Sequence, residues 1–366
     1  MTNFKGSKNF EHGKKISVGV LLCNLGTPDK PTRKAVKRYL AEFLSDPRIV
    51  ELPRILWLPI LHGIILNTRP SRSARAYSKI WTKSGSPLLF HSKNLKTQIE
   101  RDLDRSWVTF ELGMRYGNPS IGSALEALID KGARQILVVP MYPQYAAATT
   151  GSIYDAVFNY CSSLRWVPQI RFTSNYHNEE RYISALAKKI IDHWAQKGRS
   201  DKLLFSFHGI PKSTFLEGDP YHCQCQETAR LVCEKIEIKP ENAIVTFQSR
   251  VGFGEWLTPY TDDTLKNLAT SGISTIDVIC PGFAVDCLET LEEIAIQNKE
   301  LFIEHGGKRL TYIDALNDSQ NHVNLLSALI KTNLGDWYEV PPSTPAGQSA
   351  AAERARAMAL EKNNDQ

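Results

Sequence analysis

The sequence contains no apolar run long enough to cross a membrane. The longest such run, residues 55–66 (from Ile55 to Leu66), has twelve residues and is interrupted by a proline, a histidine and a glycine, whereas a spanning helix needs about twenty residues. The first fifteen residues are polar and basic, which is not the pattern of a secretory signal peptide. We therefore expect a cytoplasmic protein.

The sequence also lacks the clustered positive charge that nucleic acid binding needs. Its 44 basic and 39 acidic residues give a formal net charge of +5. Four lysines and one glutamate in the first fifteen residues account for three of these charges. The rest of the chain is nearly neutral, so we expect no nucleic acid partner. No predicted strand is followed by a Gly-x-Gly-x-x-Gly loop or a Walker lysine, which argues against a bound nucleotide.

The seven cysteines are an odd number in a long chain, which favours reduced thiols over a disulfide framework. Three of them, Cys223, Cys225 and Cys233, lie near His222 and could hold zinc or an iron–sulfur cluster. However, Cys-x-Cys is not the usual ligand spacing, and Cys233 falls in a helical pattern. We therefore interpret this cysteine cluster (Cys223, Cys225 and Cys233) as free thiols.

Short apolar segments alternate with helical patterns along most of the chain. The segments rich in β-branched and aromatic residues predict strands at 16–23, 108–112, 135–141, 169–172, 203–207, 243–247, 275–279 and 310–313. Helical patterns between them include 33–42, 123–131, 180–196, 228–234 and 287–301. Strands that are apolar on both faces and alternate with helices predict an α/β fold with parallel sheets. The strands divide into two halves near residues 165–168.

Polar and glycine-containing motifs follow the predicted strands. They are Asn-Leu-Gly-Thr-Pro at 24–28, Arg-Tyr-Gly-Asn-Pro at 115–119, Tyr-Pro-Gln-Tyr at 142–145, His-Gly-Ile-Pro at 208–211, Gln-Ser-Arg at 248–250 and Pro-Gly-Phe-Ala-Val-Asp at 281–286. Ligands of open α/β sheets bind at the carboxyl ends of the strands. Two such halves suggest one cleft between two domains, although ordinary connecting loops also favour Gly and Pro.

Two side chains in these motifs can carry chemistry. His208 ends a predicted buried strand, so its imidazole would point into the cleft and act as a base near neutral pH or as a metal ligand; a lone histidine is more often structural. Glu289 and Glu293 are four residues apart and share a helix face with Gln297. Such a row is usually a solvated face, and Glu292 nearby strengthens that alternative.

Taken together, these motifs resemble the ferrochelatases, enzymes that insert ferrous iron into a porphyrin to make heme. The resemblance covers roughly residues 18–334. Its most specific segments are LLFSFHGIP at 203–211, GDPY at 218–221 and PGFAVDCLETLEE at 281–293. Further matching segments are GSPL at 85–88, YPQY at 142–145, TTGS at 149–152, VTFQSR at 245–250 and WLTP at 256–259.

The resemblance implies two Rossmann-like domains with a porphyrin cleft between them. The first would comprise residues 16–166 plus 320–335, with a C-terminal helix near 319–333 packed on it, and the second residues 167–319. Residues 336–366 have the composition of a disordered tail, and we expect truncation after Asp336 to be tolerated. Residues 55–66 would form the lip of the pocket and could touch a membrane, because exposed apolar patches of this kind do so.

The resemblance also implies roles for individual residues. His208 would be the catalytic histidine and Glu289 its partner carboxylate across the cleft, both of them metal ligands, with Glu293 in support. The porphyrin would be bound by Leu25, Tyr77, Arg115, Tyr116, Trp256 and Asp286. Iron enters as a substrate, and we expect no tightly bound cofactor. An iron–sulfur cluster of the animal type is not expected, because the chain after residue 334 has no cysteine.

Three positions depart from the family. Leu25 stands where relatives have Met or Tyr, Cys287 replaces a common histidine, and Gln297 replaces a third carboxylate, which puts an outer metal site in doubt. Two other functions stay open: a chelatase for another metal or tetrapyrrole, such as cobalt or coproporphyrin, and a porphyrin carrier without turnover. The presence of both His208 and Glu289 argues against a carrier.

Overall fold

The protein folds around two four-stranded parallel sheets, as the strand pattern predicts. The computed structural model describes residues 4–6, 15–251, 254–342, 353–354 and 357–358. The first sheet has the order β2-β1-β3-β4 and contains β1 (Ser17–Thr27), β2 (Val108–Gly117), β3 (Ala133–Pro140) and β4 (Gln169–Phe172). The second has the order β6-β5-β7-β8 and contains β5 (Lys202–His208), β6 (Ala243–Gln248), β7 (Thr275–Ile279) and β8 (Arg309–Ile313).

Helices cover both sheets because their strands are apolar on both faces. In the first half they are α1 (Arg33–Leu44), α2 (Arg54–Ile60), α3 (Leu66–Ile80), α4 (Pro87–Leu103), α5 (Ile121–Asp130) and α6 (Ser152–Cys161). In the second half they are α7 (Glu180–Lys197), α8 (Lys212–Leu216), α9 (Tyr221–Lys235), α10 (Thr261–Thr270) and α11 (Lys299–Glu304), and the chain ends with α12 (Gln320–Leu334) and α13 (Asp336–Glu339). None of the helices in the described ranges is long and apolar enough to span a membrane.

Three segments form wider π-helical turns. They are Leu61–Ile65 between α2 and α3, Ala147–Gly151 before α6, and Glu289–Asn298 before α11. The predicted helix over 287–301 is therefore a ten-residue π-helix followed by α11. Hydrophobic periodicity does not separate the two types, and π-helical segments often occur at functional sites.

The boundary between the two halves lies later than predicted. The strand β4 pairs in parallel with β3, from Gln135 opposite Gln169 to Val138 opposite Phe172. It therefore belongs to the first sheet, and a boundary at 166/167 would remove an edge strand from that sheet. The change of sheet falls between β4 and β5.

Two strands run further than predicted. The strands β1 and β2 stay paired as far as Thr27 opposite Gly117, so Leu25, Arg115 and Tyr116 lie within strands and not in loops after them. Gly26 makes this pairing possible. It has a φ of +110°, and a Cβ atom there would lie 1.8 Å from the carbonyl oxygen of Tyr116.

The C-terminal helix α12 contacts α4 and β3 of the first half and also α7 of the second half. The predicted tail begins later than residue 336, however, because Trp337 and Tyr338 are 3% and 6% exposed. The Trp107 Nε1 atom donates to the Trp337 carbonyl over 3.3 Å, and the Arg171 guanidinium lies 3.7 Å from the centre of the Trp337 ring. Most of the remaining predicted tail lies outside the described residues.

Polar contacts join the two halves on the side of α9. The Gln144 amide donates to Thr228 over 3.0 Å, and the backbone N–H of Tyr145 donates to the side chain of Gln224 over 2.7 Å. The loop after β3 is therefore held against the second half. It brings the carboxyl end of the first sheet next to α9 of the second half.

Candidate active site

His208 is the last residue of β5 and is partly exposed. Its Nδ1 atom lies 2.7 Å from the carbonyl oxygen of Gly209. A carbonyl only accepts hydrogen bonds, so Nδ1 carries the proton of the neutral ring and Nε2 presents a lone pair. The Trp256 side chain lies beside this turn, and a Cβ atom on Gly209 would be 3.3 Å from it.

Glu289 is the first residue of the π-helix and is partly exposed. Its backbone carbonyl accepts a hydrogen bond from the Gln248 amide, at the end of β6, over 2.8 Å. Its carboxylate acts on tyrosines of the first half. Burial raises the pKa of Tyr77 and the charge of Glu289 raises it further, and burial, Tyr77 and Glu289 together raise the pKa of Tyr39. The Glu289 carboxylate therefore lies within electrostatic reach of tyrosines on α1 and α3.

Glu293 is held by the residue that follows β6. The backbone N–H and the hydroxyl of Ser249 donate to its two oxygens over 2.8 and 2.5 Å, and Gln248 donates over 3.3 Å. Burial raises the pKa of Glu293, and the charge of Glu289 raises it further. The hydrogen bond from Ser249 and the charge of His208 oppose this rise, but the pKa stays above its ordinary value. His208 and Glu289 thus both act on Glu293 electrostatically, and we call these three residues the acid–base cluster.

Ser249 contacts the candidate site through a hydrogen bond that the sequence did not reveal. It is a non-glycine residue with a φ of +65°, a conformation that costs free energy and concentrates at functional sites. Its motif, Gln-Ser-Arg at 248–250, was recognisable as a strand end. Which carboxylate it would bind depends on how β6 meets the π-helix, and only the folded chain shows that.

Arg115 and Tyr116 form a second network, centred on Asp46. Arg115 donates to Asp46 over 2.5 Å and to the Ser152 hydroxyl over 2.6 Å, and the Tyr116 hydroxyl donates to Asp46 over 2.7 Å. Burial opposes ionisation of Asp46, but hydrogen bonds from Ser152 and Tyr116 and the Arg115 cation keep its pKa below the ordinary value. The fully buried Tyr116 ring therefore stiffens the wall of the first half.

Asp286 is buried and engaged on both carboxylate oxygens. It accepts hydrogen bonds from Thr290 over 2.8 Å, from Tyr312 over 2.6 Å and from Asn317 over 2.6 Å. These contacts tie the start of the π-helix to β8 and to the turn before α12. The geometry fits a role in shaping this loop better than direct contact with a ligand.

Three further residues of the first half, Tyr77, Leu25 and Tyr142, are buried or partly buried. Tyr77 is buried and packs edge-on against Tyr39 at 6.4 Å, and Leu25 packs against the same apolar cluster. The Tyr142 hydroxyl, which the sequence did not single out, is buried and has no hydrogen-bond partner within the described part of the chain.

The cysteine cluster lies on α9. Cys223 is exposed, Cys225 is buried and Cys233 is partly buried. Metal ligation needs the thiolate, whereas burial raises the pKa of Cys225 and takes that of Cys233 to about 11. Among the described residues, no three His, Cys, Asp or Glu side chains are grouped so that they could hold a metal ion.

We predict that the cysteine cluster holds no essential metal. Purified protein should contain well under one equivalent of zinc or iron by elemental analysis, with no iron–sulfur absorption, and the Cys223→Ser variant should keep wild-type activity. A reproducible one-to-one metal content that disappears in Cys223→Ser and Cys225→Ser variants would contradict this.

Two parallel sheets with a site at their facing carboxyl ends define a chelatase-type α/β protein. The cobalt complex of the sirohydrochlorin chelatase SirB from Bacillus subtilis subspecies spizizenii superposes with a TM-score of 0.52 at 11% identity, over 88% of this chain and 97% of that one. SirB from Bacillus subtilis with Fe3+ gives a TM-score of 0.50 at 14% identity, over 88% and 97%. At such low identity these structures establish the fold alone.

Sequence similarity identifies the family. The ferrochelatase family profile matches residues 17–334. Ferrochelatase from Nitrosococcus oceani is 50% identical over 363 residues, 98% of this chain and 99% of that one, and ferrochelatase from Idiomarina loihiensis is 50% identical over 337 residues, 91% and 93%. The chain therefore belongs to the ferrochelatase family. It is an enzyme that inserts ferrous iron into protoporphyrin, the reaction that yields protoheme.

Proposed function

We propose that the acid–base cluster carries the chemistry of iron insertion, with His208 and Glu289 on opposite faces of the bound porphyrin. Insertion replaces two pyrrole protons by one Fe(2+), so two protons must leave the ring. The Nε2 lone pair of His208 accepts one of them, and the carboxylate of Glu289 accepts the other and passes it to Glu293. Both side chains also serve as transient ligands as the ferrous ion loses its water.

One observation carries this proposal: the end of β6 holds both partners in place. Gln248 pairs with His208 across the second sheet and donates to the Glu289 carbonyl, while Ser249 binds Glu293. The three groups therefore share one rigid support, which is what positioned proton transfer requires. The raised pKa of Glu293 suits a group that must take up a proton and release it again.

The walls of the pocket support distortion of the porphyrin. A flat ring hides the nitrogen lone pairs, and binding energy that bends it exposes them to the metal. The buried network of Arg115, Tyr116 and Asp46 makes the wall of the first half stiff enough to keep its shape against the bound porphyrin. The proposed reaction transfers no electron, so ferrous iron enters as substrate and no resident cofactor is required.

An anaerobic assay tests the substrate assignment. Purified protein is mixed with ferrous iron or cobalt and with protoporphyrin or coproporphyrin, and metalloporphyrin formation is followed by absorbance. We expect the highest kcat/KM for ferrous iron with protoporphyrin. Faster turnover with coproporphyrin would move the assignment to another tetrapyrrole, and porphyrin binding without turnover would favour a carrier.

We also propose that the protein works in the cytoplasm at a membrane surface, through the predicted lip. Residues 55–66 run from α2 through the π-helical turn to the first residue of α3, and Ile55 and Ile64 are 83% and 58% exposed. An apolar strip of this kind next to a pocket for an apolar ring fits insertion into a lipid surface. The porphyrin would then reach the pocket without crossing water.

We predict that Ile55→Ser combined with Ile64→Ser lowers binding to phosphatidylcholine–phosphatidylglycerol vesicles at least about tenfold, since each buried isoleucine contributes about 1.5–3 kcal/mol. Cosedimentation measures the effect. Ile191→Ser, which removes an exposed isoleucine from α7, is the matched control and should bind like the wild type. Equal binding by all three proteins would rule out the lip as the contact.

A further inference from the structure

Glu292 is a buried carboxylate on the π-helix that the proposed mechanism does not use. The residue is 4% exposed. One oxygen accepts from the Lys79 ammonium over 2.8 Å and the other from the Gln297 amide over 2.5 Å. The sequence left open a solvated face here, an alternative that Glu292 strengthened, and for Glu292 that alternative does not hold. The five-residue spacing to Gln297 matches the hydrogen-bond period of a π-helix, which an α-helical pattern cannot reveal.

Lys79 belongs to the other half of the molecule. It lies near the end of α3, the helix that continues from the lip, two residues after Tyr77. Leu288 and Leu291 of the second half pack against the apolar cluster that contains Tyr77. The helix α3 and the π-helix therefore meet along an apolar strip, and the Lys79–Glu292 ion pair joins them beside that strip.

An ion pair of this kind is a poor source of stability. Removing a carboxylate from water costs several kcal/mol before any partner is gained, and an apolar pair of similar volume is often at least as stable. The pair does fix geometry from the side of Glu292: Lys79 is half-exposed, but Glu292 is buried, so a shift of the helices would leave a carboxylate without its cation where water does not reach it. Glu289 lies three residues before Glu292 on the same segment, so a shift of this contact displaces Glu289.

We propose that Glu292 is a positioning residue for iron insertion: its ion pair with Lys79 holds α3 against the π-helix and thereby fixes Glu289 relative to the pocket wall that carries Tyr77. This inference rests on the proposed role of Glu289. It predicts that Lys79 and Glu292 act through one contact, and that this contact affects turnover more than porphyrin binding.

The test measures kcat for iron insertion, porphyrin Kd by fluorescence and melting temperature for Lys79→Met, Glu292→Gln and the double variant. We expect each single variant to lose about tenfold in kcat with Kd within threefold of wild type, and the double variant to be no slower than the slower single one. Lys79→Arg, which keeps the ion pair, should stay within threefold of wild type. Lys188→Met removes an exposed ion pair on α7 and is the matched control.

Three results would overturn the inference: single variants within twofold of wild type, a double variant that loses the product of the two single effects, or a kcat loss that disappears when the assay is cooled below the unfolding range of the variant. A further comparison separates this inference from the proposed function. In a Glu289→Gln background, Lys79→Met should cause no additional loss. An additional tenfold loss would refute positioning through Glu289 while leaving the role of Glu289 intact.

Discussion

The His208→Ala variant is expected to fold, to melt close to the wild-type temperature and to bind porphyrin, yet to insert iron at least about a hundredfold more slowly. The imidazole is partly exposed at a strand end, and its hydrogen bond goes to the carbonyl of the next residue. Its removal should therefore cost well under the roughly 2–5 kcal/mol of a core truncation. The substitution does, however, remove the imidazole lone pair that accepts a pyrrole proton.

The Glu289→Gln variant should show a similar loss for a related reason. The amide is nearly isosteric with the carboxylate, but it neither accepts the proton nor attracts the cation. The exposed Glu304 on α11 offers a matched control, and Glu304→Gln should keep wild-type turnover. Metal-insertion rate, porphyrin affinity and melting temperature are measured on each protein. Near wild-type insertion by His208→Ala would refute the proposed mechanism and revive the carrier alternative.

Truncation after Asp336 is expected to unfold the protein or to lower its melting temperature severely. The cut removes Trp337 and Tyr338, and the loss of a large buried aromatic side chain from a core costs about 3–5 kcal/mol. It also removes the Tyr338 hydrogen bond to the Leu103 carbonyl. The loss is comparable with the whole stability of a typical domain, about 5–15 kcal/mol. This expectation reverses the one drawn from composition, which predicted that truncation after Asp336 is tolerated.

Truncation after Pro342 is the matched control for this effect, because it keeps both aromatic rings. Chemical denaturation of the two truncated proteins and of the full chain compares their free energies of unfolding. The shorter protein should lose most of its stability and the longer one little. Melting of the shorter protein within about two degrees of the full chain would show that the aromatic rings contribute almost nothing.

The sheets were predictable because their strands are buried on both faces, so that continuous apolar segments mark them directly. The bounds of β4 and β7 agree with the prediction to the residue. Where β1 and β2 continue through polar residues, the signal fails. Asn24 and Arg115 look like loop residues, and only the close approach at Gly26 explains why the strands stay paired beyond them.

The candidate site was predictable in part. His208 and Glu289 stand out by their motifs, but the contacts of Asp46, Ser249 and Glu292 do not. Each of these three side chains is polar, and each is held by a partner far away in sequence. No local sequence pattern records that partner. In the sequence, a buried carboxylate therefore cannot be distinguished from a solvated one until its hydrogen-bond donor is known.

The docking of α12 and Trp337 on the first half also has a consequence for synthesis on the ribosome. The first sheet is complete once Phe172 has been made, but the residues that cover Leu103 and Trp107 follow some 166 positions later in the sequence. At about 5–20 residues per second, that delay is about 8–33 s. During this interval the nascent chain carries an uncovered apolar surface. The first half is therefore translated first, but its core is covered last.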